Sequence, residues 1–467
     1  MESSKVAALN PITILAVILI EGFVTIAVEM LTIRQLITVV GNSVIITSLI
    51  IGIFLLFLAF GYYQGGNHRE NYLQVLRNNF TWSSLLLGVG LSYPFIQYFF
   101  FYVFQSLSSN ALFGLMLYLF LVTAPLVYLL GQTVPITTNL FRHDHHVGSI
   151  SGKVLGLSTV GSFLGSVLTT IVLMNFFGVA WTVFFNFALL YILILLLTNF
   201  RNNYIRLFII TMLGIFVFLL NVSIEKSIFV KTNNYGDYQI VQNTMVSPLG
   251  VGNMLNINNS PSSFLTAEKK GFEYIEYIKK ILFIDLKFVD KDILVLGAGG
   301  FTLSAQSTFG NHFLYVDIDG SLPETVKQGF NDQINGTFIA EDARKFLKHS
   351  PKKFDAVVSD VYSSHYTIPF HLLTQEYFQS IQQILNPNGV AIFNIIANPM
   401  LYDSYSKRVD NTIRSVFKNC MTVPIPYHNG AANIIYICSA KSIPDKTVYT
   451  DNRNPSMIDI FNKQMRS

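Results

Sequence analysis

A chain of 467 residues has room for two or three domains; half of it is hydrophobic and only 12% is charged, which excludes a uniformly soluble protein. The apolarity is uneven: residues 1–222 carry 8 Lys/Arg and 5 Asp/Glu, while the remainder carries 23 and 22. A formal net charge of +4 with no basic cluster points away from nucleic acid.

In chain order, seven apolar stretches of about 20 residues, near 12–33, 43–63, 82–104, 111–131, 154–176, 179–198 and 205–222, are long enough to cross a bilayer. They define a multi-span α-helical membrane domain over 1–222, with the lipid bilayer as its first partner. The stretch "GLSTVGSFLGS" (156–166) has small residues at the spacing that lets helices approach closely. Glu21, Glu29 and Arg34 sit in or at the end of the first span. An ionisable residue there pairs within the bundle or serves a substrate or proton path. The histidines of "RHDHHVGSISGK" (142–153) read as solvated, and no metal site is expected.

Residues 223–290 read as a small β subdomain with a connecting helix: strand-like segments with Gly/Asn turns over 235–259, then the helical "AEKKGFEYIEYIKKILF". From 291 to 467 strands alternate with helices. "DILVLGAGG" (292–300), "HFLYVDID" (312–319), "TFIAED" (337–342), "FDAVVSD" (354–360) and "GVAIFNIIA" (389–397) are strands. "FTLSAQSTFG", "PETVKQGF" and "LLTQEYFQSIQQIL" are helices, and strands near 420–426 and 432–439 close the chain. Continuous apolar strands in this alternation specify a parallel, doubly wound α/β sheet, a Rossmann-like domain. Ligands of such sheets sit beyond the C-terminal strand ends, at Gly297, Gly299 and Gly300, Asp317 and Asp319, Asp342 and Asp360. G-A-G-G-F is neither a dinucleotide fingerprint nor a P-loop, so a nucleoside without a pyrophosphate is the better fit. Cys420 and Cys438 belong to no metal-spacing motif and are expected as buried free thiols; a disulfide between them would argue for a side outside the cytoplasm.

The order "YQIV", "LGAGG", "YVDID", "EDARKFL", "SDVYSSHYTIPFHLLT", "NPNGVAIFN" resembles the spermidine synthase (polyamine aminopropyltransferase) family. "EGFVTIAVEMLTIRQL" and "GQTVPITTNLF" resemble its membrane-fused branch. The resemblance implies a class I methyltransferase-like fold. It also implies an S-adenosylmethionine or decarboxylated S-adenosylmethionine donor rather than a tightly bound cofactor, release of methylthioadenosine, and a homo-oligomer. It places Gln239 and the glycine turn beside the nucleoside, Asp317 on the ribose, Asp342 with Ala343 on the adenine, and Asp360 as the base that deprotonates the attacking amine.

Several positions depart from the family pattern. Phe301 and Ser363 stand where it has aspartates, and "KGFEYIE" keeps Tyr274 and Glu276 but loses an acidic pair and a histidine. With Tyr362 and His365, these residues are expected to shape the acceptor pocket, and the acceptor is expected not to be an ordinary polyamine. Two alternatives stand beside the transferase: a lyase in which S-adenosylmethionine's own carboxylate expels methylthioadenosine, and a non-enzymatic nucleoside sensor or transporter. Lys and Arg fall mainly on the N-terminal side of a seven-span arrangement, which puts the second half outside; donor supply favours a cytoplasmic domain, and that expectation is adopted.

Overall fold

The computed structural model describes residues 11–41, 43–108, 110–140, 147–198, 204–362, 368–428 and 431–439. The histidines of the 142–153 stretch lie outside them, as do Ser363 and His365.

Six helices are long and apolar enough to cross a membrane: Pro11–Val40, Val44–Asn67, Ala111–Leu140, Gly148–Phe177, Val179–Leu196 and Leu207–Ile228. The stretch expected as a straight span over 82–104 is instead a pair, Tyr72–Gly90 and Tyr93–Ser106, bent by 70°; counted as one span it makes seven. The bend has a local cause. Ser92 is extended and its side chain accepts from Phe95 N, and Pro94, with no N–H, suits the first turn of a new helix. The first helix packs along Val147–Leu168, and Gly161 and Gly165 make this possible. A Cβ at either would lie 2.2 Å from the carbonyl oxygen of Leu19 or Phe23. Ser162 Oγ donates to Gly22 O at 3.2 Å in the same seam.

Strands β1 (Lys231–Thr232), β2 (Asp237–Val246), β3 (Gly250–Ile257) and β4 (Ser260–Thr266) form an antiparallel sheet in that order. The helix that follows begins only at Glu273. Next come β5 (Asp292–Leu296), β6 (His312–Asp317), β7 (Thr337–Ala340), β8 (Phe354–Ser359), β9 (Leu385–Ala397), β10 (Asn419–His428) and β11 (Ala431–Ser439). Their order across the sheet is β10-β11-β9-β8-β5-β6-β7. β5 to β9 pair parallel, and β11 runs antiparallel to both its neighbours. The order reverses between β5 and β8, the switch point where ligands of such sheets bind. Apolar residues from both faces of the sheet, such as Leu294 and Val357 on one and Val295 and Val358 on the other, explain the unbroken hydrophobic strands.

Two expectations are corrected. "FTLSAQSTFG" is not a helix beyond one 3₁₀ turn, Thr302–Ser304, because Phe301 is left-handed (φ 57°) and Ser and Thr compete for backbone bonds. Cys420 and Cys438 are not free thiols. They face each other across β10 and β11 with Cα atoms 4.2 Å apart and form a disulfide. That separation is below the usual range for bridged cysteines, and directly opposed strand positions bring it about.

The apolar helices and the C-terminal region touch. Arg34 pairs with Asp237 at 2.7 Å, rather than with Glu29 five positions back along its own helix. Tyr93 OH donates to Asn259 Oδ1, and Val179 N donates to Thr232 Oγ1. Glu21 accepts from Thr25 Oγ1 within the first helix, and Glu29 is buried.

Candidate active site

A cavity of about 500 Å³ lies between the antiparallel sheet and the C-terminal ends of β5, β6, β8 and β9. Its size suits a small organic ligand. Two glycines in the turn after β5 shape the cavity. Gly297 follows β5 with φ 86°, and a Cβ there would lie 2.2 Å from the carbonyl oxygen of Asp360, so only glycine lets the β5 and β8 ends converge. Gly299 is also left-handed, beside Ser262 and Ser263.

Asp360, first residue after β8, is held through both carboxylate oxygens. Its Oδ2 accepts from Tyr274 OH at 3.0 Å and its Oδ1 from Asn394 Nδ2 at 2.9 Å. Burial pushes its carboxyl above the usual range, and the bonds from Asn394 and Tyr274 pull the other way without cancelling that shift. Burial likewise raises the Tyr274 hydroxyl well above its ordinary value, reinforced by the Asp360 charge, so Tyr274 remains a neutral donor. Tyr362 OH accepts from Ile396 N, which fixes its ring at the cavity edge.

Asp317 ends β6. It accepts from Ala298 N at 2.9 Å and Asp319 N at 3.2 Å, and burial raises its carboxyl despite these bonds. Asp342 caps the next helix through Lys345 N, and its other oxygen meets His371 Nε2 at 3.2 Å. Ala343 lies beside it.

Of the residues singled out from the sequence, Gly297, Gly299, Asp317, Asp342, Ala343, Asp360, Tyr274 and Tyr362 line this one cavity. Four others stand outside its lining. Gln239 accepts from Asn256 Nδ2, because strand alternation turns Tyr238, not Gln239, inward. Gly300 packs behind the turn, donating to Ser263 Oγ. Phe301 is fully buried against Tyr315 and Phe338, so its ring belongs to the core. Glu276 accepts from Gly271 N and from Lys279.

The structure adds three lining residues that sequence reasoning missed, Glu273, His371 and Asn394, and places Asp319, singled out from the sequence, in the same lining. Asn394 carried a signal, as the one amide inside "GVAIFNIIA". Its Oδ1 is buried with no hydrogen-bond partner among the described residues. Five carboxylates (Glu273, Asp317, Asp319, Asp342 and Asp360) line the cavity, and no Lys or Arg does among the described residues. No metal-ligating cluster occurs among the described residues.

Residues 272–449 match the spermine/spermidine synthase domain. The C-terminal domain is spermidine synthase-like. A polyamine aminopropyltransferase of Vibrio vulnificus is 29% identical over 183 residues, 37% of this chain and 58% of that protein. A spermine synthase of Saccharomyces cerevisiae is 31% identical over 173 residues, 33% of this chain and 57% of that protein. The chain thus spans a little over half the length of these two curated relatives. A solved structure of a probable spermidine synthase from Corynebacterium glutamicum shares 20% identity, covering 48% of this chain and 82% of that one, with a TM-score of 0.38. The synthase-like domain is therefore joined to a helical region that the family match does not include.

Proposed function

We propose that the synthase-like domain transfers an aminopropyl group from decarboxylated S-adenosylmethionine to an amine, with Asp360 as base. The observation that carries this is the buried Asp360 carboxylate, held by Tyr274 and Asn394 within a cavity lined by acids. The amine nitrogen attacks the carbon next to the sulfonium; the carbon–sulfur bond breaks, its electron pair stays on sulfur, and methylthioadenosine leaves. The nucleophile must first lose a proton, because an ammonium has no lone pair, and Asp360 takes it. A carboxyl raised by burial is a stronger base than an ordinary one. The unpartnered Asn394 Oδ1 supports the same placement, since it can accept a second N–H of the amine.

The acid-rich lining favours the decarboxylated donor. S-adenosylmethionine itself brings a carboxylate, which a lining with no Lys or Arg among the described residues leaves without a cationic partner of that kind. For the same reason the lyase reading, which must hold that carboxylate, has less support. Asp317 is assigned to the ribose, and Asp342 with Ala343 to the adenine. For the acceptor, Glu273 beside Tyr274 and Asp360, with Phe272 and Tyr362 near, supports an amine with a cationic end and an apolar remainder rather than an ordinary polyamine.

Purified full-length protein in detergent, given decarboxylated S-adenosylmethionine with and without amines, should release methylthioadenosine only with an amine. Release without an amine would favour the lyase, and nucleoside binding without any release would favour a sensor. The disulfide and the sequence's Lys/Arg distribution both support a domain facing away from the cytoplasm, against the expectation from donor supply.

A further inference from the structure

The membrane helices reach the donor end of the cavity through Arg34. Arg34 lies near the end of the first membrane-crossing helix and is buried. Its Nε donates to Asn233 O and its Nη2 to Asp237 Oδ1, both at 2.7 Å. These two residues bracket the turn between β1 and β2. Within the turn, Asn233 Oδ1 accepts from Tyr235 N and Gly236 N. Asn233 Nδ2 leaves the turn and donates to Asp319 Oδ2 at 2.7 Å and to Ser321 Oγ at 3.1 Å. Tyr238 OH donates to the same Asp319 oxygen. Asp319 and Tyr238 line the cavity, and Asp317 is held in turn by Asp319 N.

We infer that Arg34 is a positioning residue for the nucleoside donor: it fixes the Asn233–Asp237 turn, and Asn233 thereby sets Asp319 and Tyr238 at the ribose side of the cavity. This rests on the proposed function for the ligand's identity, not for the linkage. Arg34 touches no cavity residue directly. A guanidinium is required because its planar fork binds a carbonyl and a carboxylate at once, which a lysine cannot do in one geometry. The helical region thus supports the donor site through the Asn233–Asp237 turn.

The test uses full-length protein in detergent, with Arg34→Gln, Arg34→Lys, Asn233→Ala and the Arg34→Gln/Asn233→Ala double variant. The first readout is the equilibrium affinity for methylthioadenosine. Asn233→Ala keeps the Arg34–Asp237 pair and should weaken affinity about tenfold, within the usual range for coupled sites. Arg34→Gln should do the same, Arg34→Lys should not restore it, and the double variant should be no worse than either single. In turnover, the donor KM should rise while the amine KM and kcat stay within about threefold, a separation that general destabilisation does not produce. The second readout needs no ligand. Amide exchange in Arg34→Gln should accelerate in residues 233–238 and also in 317–321, while β8 and β9 keep their protection. Failure of wild type to bind a nucleoside would count against the proposed function, and exchange would still decide the linkage. Acceleration confined to 233–238, or unchanged affinity in folded Arg34→Gln, overturns the inference.

Discussion

Asp360 concentrates the residue-scale consequences. Replacing it by Asn keeps the shape and removes the base, so turnover should fall about 10²–10⁴-fold while nucleoside affinity holds, as amine-dependent methylthioadenosine release would show. Its pKa gives a second prediction. Burial places the folded-state value above the usual carboxylate range, so the rate should fall as pH drops through that raised value, and Asp360→Asn should lose this acid limb. For stability the sign is opposite. The group favours folding below the ordinary range, and that contribution is lost as pH rises through the folded value. At neutral pH, Asp360→Asn should therefore melt above wild type, and the gap should close in acid. Asp360 was legible in the sequence because an acid ending an apolar strand has few structural reasons to be there. Glu273 and Phe301 were not. Their places depend on where a helix begins and on a left-handed backbone, neither of which residue type alone specifies.

Among elements, strands were easier to read than the turns between them. β5, β6 and β8 are covered on both faces, and continuous apolar runs announce that. The segment after Gly300 reads as a helix from the usual β–α alternation, yet Phe301 and the Ser/Thr content reduce it to one turn. The small-residue pattern of 156–166 did foretell a close helix seam. Gly161→Leu would drive a side chain into the Leu19 carbonyl and should destabilise the bundle by ~1–3 kcal/mol in a detergent melt. Gly152→Leu, where a Cβ meets nothing within 4 Å, should leave the melt unchanged. Should both variants behave alike, the seam does not carry the packing assigned to it.

For the whole molecule, pairings between distant segments were hidden from the sequence. Arg34 and Asp237 are 203 residues apart, and nothing in either segment names the other. The disulfide was likewise legible only as a conditional, because sequence placed both cysteines on neighbouring strands without fixing the register that opposes them. Disulfides persist outside the reducing cytoplasm, so in intact cells Cys420 and Cys438 should resist maleimide until a reductant is added. Replacing the pair by Ser and Ala should cost ~2–5 kcal/mol, read as a lower melting temperature. A domain on that face should consume decarboxylated S-adenosylmethionine supplied to unbroken cells, although this charged molecule does not cross bilayers; consumption only after lysis would reverse the orientation. The acid-lined cavity bears on how a reaction cycle ends. In the proposed reaction the donor arrives carrying positive charge on sulfur and nitrogen, and the methylthioadenosine left behind carries none. Five carboxylates that attract the first have no charge to hold in the second. Spent nucleoside should thus be a weak competitor, and rising ionic strength should slow donor capture far more than product escape.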